Sequence, residues 1–151
     1  MPDQGYDTDL SLWAESQARA LRDAGQAGTN LPIDWENVAE EIESLGNSDR
    51  RDLSNRTQTI LRHLIKLAVS PANQPRAGWK RTVVEQRSQI ARLLKDSPSL
   101  RQLVPAAIAE EMADVRALAL RDLAECGAQP SADPGSLMFS EEQVLGPELP
   151  D

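Results

Sequence analysis

Aromatic residues are scarce in this chain of 151 residues, at 3% of the sequence, and cysteine and histidine each occur once. A core must therefore be built from Leu, Ile, Val and Ala, a composition that favours helices. A single cysteine cannot form an intramolecular disulfide, which indicates a reducing compartment, so we expect a cytoplasmic protein. One histidine without a C-x-x-C pair cannot complete the usual ligand set of a transition metal, and we expect neither a metal nor a cofactor.

The chain also lacks any apolar run near the roughly 18 residues that a membrane span needs, and its acidic N-terminus does not resemble a signal peptide. Its net charge is −8. Because nucleic-acid-binding surfaces are usually basic, we do not expect a nucleic-acid partner. The basic residues Arg76, Lys80, Arg81 and Arg87 lie close together in sequence, and we interpret them as a solvated helix face.

Helix-start and helix-stop signals predict an all-α fold, namely a single bundle of five main helices with a docked C-terminal tail. We expect residues 1–127 to form the bundle and residues 128–151 to form an extended tail that packs on it. Ser140 with Gln143 is a capping-box signal for one short helix in this tail. The five helices are predicted over residues 8–24, from Asp34 to a stop at Gly46, from Ser48 to before Pro71, over 79–95, and from Pro105 to Gly127. The predicted N-terminal caps of the first three helices are Asp7 or Thr8, Asp34 and Ser48.

Polar side chains fall on three helix faces that are otherwise apolar: Gln17 in helix one, Arg50 in helix three and Gln86 in helix four. A buried polar group without a partner costs about 1–3 kcal/mol. We therefore predict that these three side chains meet one another and a glutamate of helix two, either Glu40 or Glu43. We call these five residues the polar seam.

The polar seam has two interpretations. It is either a polar network that fixes the register of the helices or a pocket between helices that binds a small ligand. His63 lies on the opposite flank with Arg56, where it could serve as a general base if the fold places a nucleophile beside it. Glu36, Glu40 and Glu43 could bind Mg²⁺ with acidic residues of helix five, but a solvated acidic face is the preferred interpretation.

Blocks of sequence spread over nearly the whole chain carry a family resemblance. They are YDTDLSLWAESQARALR at residues 6–22, NVAEEIESLGNSDRRDLSNR at 37–56, LRHLIKL at 61–67, GWKRTVVEQRSQI at 78–90 and LLKDSPSLR at 93–101. They resemble the bacterial family of domains of unknown function numbered 29, which implies an all-helical protein and assigns no activity, cofactor or catalytic residue. The residues of the family's pattern found here are Trp13, Gln17, Glu40, Glu41, Glu43, Arg50, Arg51, His63, Lys66, Trp79, Gln86 and Arg87.

We predict from these observations a non-enzymatic interaction or self-association module, whose partner is a protein or a second copy of the chain. Two alternatives stay open. One is a small-ligand-binding regulatory protein that uses the polar seam. The other is a phosphoesterase-type hydrolase that uses acidic residues and His63. An open cleft in which Glu40, Glu43 and His63 converge would favour the alternatives over the module.

Overall fold

The structure, a computed structural model, describes residues 5–151. These residues form five α-helices and two 3₁₀-helices and contain no β-strand, so the all-α prediction is confirmed. The α-helices are α1 (Leu10–Gln26), α2 (Trp35–Val69), α3 (Arg76–Asp96), α4 (Val104–Glu125) and α5 (Glu141–Leu145), and the 3₁₀-helices are Pro98–Leu103 and Pro134–Ser136.

The second helix, α2, is continuous over 35 residues, so the predicted division into two helices at Gly46 is wrong. A stop of the expected kind places glycine in the left-handed region, and among the described residues only Gly28 and Gly127 have a positive φ. Gly46 is instead buried against α1, where an added Cβ would lie 3.5 Å from the Ser11 carbonyl oxygen. Helix α1 packs on this position at a distance that would leave room for a methyl group. Residues 5–151 contain five α-helices in all, and the fifth is the short helix of the tail.

Replacing Gly46 by alanine is expected to raise the free energy of unfolding by about 0.5–1 kcal/mol, because alanine has the higher helix propensity. The added methyl group meets only ordinary van der Waals contacts, with the Ala14 side chain 3.9 Å away. Urea-induced unfolding followed by far-UV circular dichroism measures the change. A loss of stability would contradict a continuous helix at this position.

The same substitution at Gly25 in α1 is a matched control with the opposite expected sign. A Cβ added there would lie 2.7 Å from the Cβ of Trp35 in α2. The two helices would have to move apart, so stability should fall by about 1 kcal/mol or more despite the gain in helix propensity. Opposite signs at the two glycines would show that packing, and not propensity alone, decides each outcome.

The start of α1 is capped by Asp9, one residue beyond the predicted caps Asp7 and Thr8. The Asp9 carboxylate accepts from the Leu12 backbone N–H at 2.9 Å and from the Ser99 backbone N–H at 2.7 Å. Only 5% of Asp9 is exposed. The carboxylate therefore ties the first turn of α1 to the 3₁₀-helix Pro98–Leu103. The predicted cap of α2 is confirmed, since the Asn37 backbone N–H donates to Asp34 at 3.3 Å.

The described residues fall into two compact units. The first unit comprises residues 5–52 and 92–102, and its buried apolar side chains are mostly small: Ala14, Ala18 and Ala39, together with Leu100. The second unit comprises residues 53–91 and 103–151 and has the larger aliphatic core. The predicted division at residue 127 stays a prediction. The main buried side chains of the second unit are Leu53, Ile60, Leu61, Leu64, Ile65, Leu67, Val69, Val83, Ile90, Val104, Met112, Val115, Leu123 and Val144.

The last residues of the chain form the predicted short helix, α5, with its capping box. The Ser140 hydroxyl accepts from the Gln143 backbone N–H at 3.2 Å, and the Gln143 side chain accepts from the Ser140 backbone N–H at 2.8 Å. Val144 of this helix is fully buried. Within residues 5–151, every helix is too short or too polar to cross a membrane.

Candidate functional site

One arginine of the second unit binds three carbonyl groups of the C-terminal tail, which we define as residues 137–151. The Arg87 guanidinium donates from Nε to the Val144 oxygen at 2.8 Å, from Nη1 to the Glu148 oxygen at 2.8 Å and from Nη2 to the Gln143 oxygen at 2.7 Å. Helix α3 places Arg87 on the same face as Val83 and Ile90, at spacings of four and three residues. The helix therefore directs a cation toward the core side of the second unit.

The charge of Arg87 is largely removed from water. The residue is only 9% exposed, and its three hydrogen bonds all go to neutral main-chain carbonyls. Burial lowers the pKa of Arg87, while the negative charge of Glu142 acts in the opposite direction. Arginine keeps its proton in proteins, so the buried guanidinium depends on these carbonyl dipoles for compensation.

Two further arginines donate to the main chain of the same tail. Arg116 of α4 donates to the Leu137 oxygen at 2.6 Å. Arg76, at the start of α3, donates to the main-chain oxygen of Asp151 and to the Leu67 oxygen of α2 at 2.9 Å. We call Arg76, Arg87 and Arg116 together the carbonyl clamp. Because every peptide chain carries carbonyls, the carbonyl clamp recognises the backbone conformation of the tail and not the identity of its side chains.

The tail side chains contribute a separate, apolar part of the contact. Val144 is buried in the second unit. Phe139 and Leu149 of the tail line a cavity of about 300 Å³ with Leu64 of α2. The turn after α5 is tight, because the Gly146 backbone N–H donates to the Glu142 oxygen at 2.7 Å and an added Cβ at Gly146 would clash with that same oxygen. The tail thus has a defined conformation in addition to its clamped carbonyls.

Two polar seam residues of the first unit, Arg50 and Glu43, have partners other than those predicted. Arg50 is exposed and lies 3.5 Å from Glu15, and Glu43 accepts from Arg22 at 2.7 Å. Gln17 and Glu40 are exposed. Glu43 and Arg50 do line one cavity, but its volume is about 90 Å³, whereas ligand pockets usually measure about 300–1,000 Å³.

The fifth residue of the polar seam, Gln86, belongs to the second unit and is half-buried there. Its side-chain oxygen accepts from the Arg56 guanidinium at 3.1 Å. Arg56 was predicted on the His63 flank and not beside Gln86. The helical wheel places Gln86 in the middle of the apolar face, but its neighbour Arg87 is the buried residue. The polar seam as a ligand site stays a prediction.

His63 lies in a different part of the second unit, beside a compact group of charges. Its Nδ1 is 2.8 Å from the Thr59 carbonyl oxygen, and because a carbonyl only accepts, Nδ1 carries the proton. Burial lowers the pKa of His63, against the opposing effect of the Thr59 hydrogen bond. The imidazole is therefore neutral at pH 7, with Nε2 left as an acceptor.

The charges near His63 are already paired. Arg62 donates to both carboxylate oxygens of Asp122, at 2.6 and 2.5 Å, and Lys66 donates to Asp122 at 3.3 Å. The buried Lys66 ammonium also lies 5.1 Å from the ring centroid of Trp79, a cation–π distance. An open cavity of about 390 Å³ is lined by His63, Arg62, Lys66 and Asp122 and also reaches Cys126. Within residues 5–151, no three His, Cys, Asp or Glu side chains are grouped closely enough to hold a metal ion.

The family model for the domain of unknown function DUF29 matches residues 6–149. The chain belongs to this family. It is also similar to an alpha-helical protein of unknown function from Rhodospirillum rubrum, with a TM-score of 0.78 and 25% sequence identity over 96% of this chain and 91% of that chain. No curated protein matches the chain. The family resemblance of the sequence is thus confirmed.

The clamp residues of this DUF29 chain were missed as a site. Arg87 is among the residues that carry the family resemblance, but Arg76 and Arg87 were interpreted as part of a solvated basic face. The signal that could have found Arg87 is its spacing from Val83 and Ile90, which places a charge on a buried face. No sequence pattern singles out Arg116.

Proposed function

We propose that this chain is a non-enzymatic interaction module whose second unit binds a peptide segment through its main chain. The chain's own tail occupies that binding site. The observation that carries the proposal is the set of three hydrogen bonds from buried Arg87 to the carbonyls of Gln143, Val144 and Glu148. In peptide recognition, main-chain hydrogen bonds can supply affinity while side-chain pockets supply specificity.

The second unit is expected to be more stable when a peptide segment is bound to the carbonyl clamp. Without the tail, the Arg87 guanidinium would lose three charge-assisted hydrogen bonds, each of which contributes about 1.5–3 kcal/mol. The apolar surface around Val144 and Leu64 would also be exposed to water. A site that combines carbonyl-binding arginines with an apolar surface is suited to binding a segment of protein. We therefore propose a protein partner, and a cytoplasmic location for the single-cysteine chain.

The alternatives have weaker support. A phosphoesterase would need free cations to hold the phosphate, whereas both Arg62 and Lys66 donate to Asp122. A small-ligand protein built on the polar seam would need more room than the cavity of about 90 Å³ beside Glu43 and Arg50 provides.

A chain cleaved after folding tests the proposed function. A protease recognition sequence inserted after Ala132 would let the folded chain be cut in the loop that precedes the tail. The released segment is expected to stay bound through gel filtration and to exchange with a fluorescent peptide of residues 133–151. Arg87→Gln in the same cleavable chain should weaken peptide binding about 100-fold, which corresponds to the loss of about 2.7 kcal/mol.

Arg81→Gln is the matched control, because Arg81 lies on the same helix and is exposed. It should bind the peptide as tightly as the parent chain. Immediate loss of the cleaved segment from the parent chain, or equal affinity in the Arg87 and parent chains, would overturn the proposed function.

A further inference from the structure

The tail is joined to the rest of the second unit by a segment that suits exchange between molecules. Helix α4 ends in a Schellman-type turn, in which Gly127 has a φ of +70° and the Ala128 backbone N–H donates to the Leu123 oxygen at 2.8 Å. Residues 129–136 then connect this turn to the tail. This connection contains two prolines, a glycine and two serines. We call residues 129–136 the linker.

The linker is held at two points, Ser131 and Pro134, and Pro134 is buried. Ser131 donates from its backbone N–H and its hydroxyl to the Val69 oxygen, at 2.6 and 2.9 Å. Asp133 accepts from the Gly135 backbone N–H at 2.8 Å within the linker. Beyond the linker, Arg116 holds the tail at Leu137 and Arg87 holds it in α5. The linker therefore joins α4 to a tail with its own separate contacts, and release of Ser131 and Pro134 would let the linker act as the hinge of a domain swap.

The site and the tail fit each other in detail. Arg87 of the carbonyl clamp donates to the carbonyls of residues 143, 144 and 148. A short capped helix and the tight turn at Gly146 place these carbonyls in position. The tail of a second copy would satisfy every one of these contacts, because its sequence is identical. A copy of the chain is thus a partner whose complementarity to the site is already established by the tail's own contacts.

We propose that the tail exchanges between two copies of the chain, so that the carbonyl clamp of each copy holds the tail of the other. This inference rests on the proposed function and names its partner. The linker determines how often the tail binds its own clamp and how often it binds that of the second copy, because it keeps the tail of the same chain at a high effective concentration. A linker too short to reach its own clamp leaves only the tail of the second copy.

Deletion of residues 129–135 tests the proposal in an otherwise full chain. Arg116, which holds the Leu137 oxygen, precedes the end of α4 at Glu125 by nine residues, or about 14 Å. After the deletion, the two remaining peptide steps from Ala128 to Leu137 span only about 7 Å. The tail cannot return to its own clamp, so light scattering should show a dimer.

Two control chains separate tail exchange from other causes of association. The first replaces residues 129–135 with a Gly/Ser segment of equal length, which removes the Ser131 contacts but still lets the tail reach its own clamp. This chain should stay monomeric. The second adds Arg87→Gln to the deletion, and it should lose the dimer. A monomeric deletion chain with the parent's helical circular dichroism signal would overturn the proposal, as would a dimer that persists without Arg87.

A second measurement decides the matter if the shortened chain does not fold. Cys126 is exposed and is the one cysteine, so separate pools of the full chain can be labelled there with donor and acceptor dyes. After mixing at several hundred micromolar, energy transfer should appear slowly in the parent chain and be lost in Arg87→Gln pools. Absence of transfer in the parent chain would overturn tail exchange.

The two proposals fail in different ways. If the cleaved segment dissociates at once from its site, the proposed function fails, and tail exchange fails with it. If the cleaved segment stays bound but the shortened chain is monomeric, tail exchange alone is rejected.

Discussion

Arg87→Gln is expected to lower the free energy of unfolding by about 3 kcal/mol and to release the tail from the second unit. The glutamine side chain is shorter and can donate from one amide group only, so it cannot bridge the carbonyls of Gln143, Val144 and Glu148. Release of the tail would also expose Val144, which is fully buried in the parent chain. The loss of the charge-assisted hydrogen bonds is expected to outweigh the gain from no longer burying a guanidinium.

Two measurements check this expectation. Urea-induced unfolding gives the change in stability, and amide hydrogen exchange shows whether residues 137–151 lose protection before the core does. Arg87→Lys should lower the free energy of unfolding almost as much, because an ammonium is a point charge that cannot match three carbonyls in a fixed plane. Arg81→Gln on the exposed face of α3 should change stability by less than about 0.5 kcal/mol. An Arg87→Gln chain with full stability and tail protection would show that the clamp is dispensable.

Asp122→Asn is expected to lower the free energy of unfolding by about 2–3 kcal/mol at pH 7. This carboxylate accepts from both Arg62 and Lys66, and the Lys66 side chain is only 9% exposed. Removing one partner of a buried ion pair leaves an uncompensated charge, which usually costs about 3–5 kcal/mol. The expected loss is smaller here because the Asp122 side chain is 21% exposed. Trp79 would remain as the neighbour of the ammonium.

The effect of Asp122→Asn should depend on pH in a defined direction. The hydrogen bond from Arg62 is the main cause that holds the pKa of Asp122 below its ordinary value. The unfolded carboxyl binds its proton at the higher, ordinary pKa of about 3.9. The stabilisation is therefore present above that pH and is lost as the pH falls through the native pKa. The difference between the parent chain and Asp122→Asn should shrink toward zero in acid.

Unfolding at pH 7, pH 4 and pH 2.5 measures this convergence. Glu125→Gln is the matched control, since Glu125 pairs with Arg121 on the surface of the same helix and its side chain is 64% exposed. Such a pair contributes little, so the control should lie within about 0.5 kcal/mol of the parent chain at each pH. A gap between the parent and Asp122→Asn chains that stays constant from pH 7 to pH 2.5 would contradict the role of the ion pairs.

The sequence by itself determined the helical class, the family and the local start signals. The capping box at Ser140 and Gln143 and the cap at Asp34 were predicted correctly, because a cap acts within three residues of the helix it starts. The same local reasoning was wrong at Gly46. A glycine can end a helix or lie inside one, and only the tertiary structure, in which α1 packs against Gly46 within a continuous α2, decides which of the two applies.

The tertiary structure alone decided the partners of the charged side chains. Helical periodicity can place Arg87 on a buried face, but its three carbonyl partners lie 56 to 61 residues further along the chain. Arg50 and Glu43 likewise pair with Glu15 and Arg22 of α1, and not with each other. Periodicity gives the direction of a side chain relative to its own helix, whereas the identity of its partner depends on how the rest of the chain packs. The sequence of the tail indicates only turn-forming and acidic residues, whereas the tertiary structure shows that a buried arginine holds it.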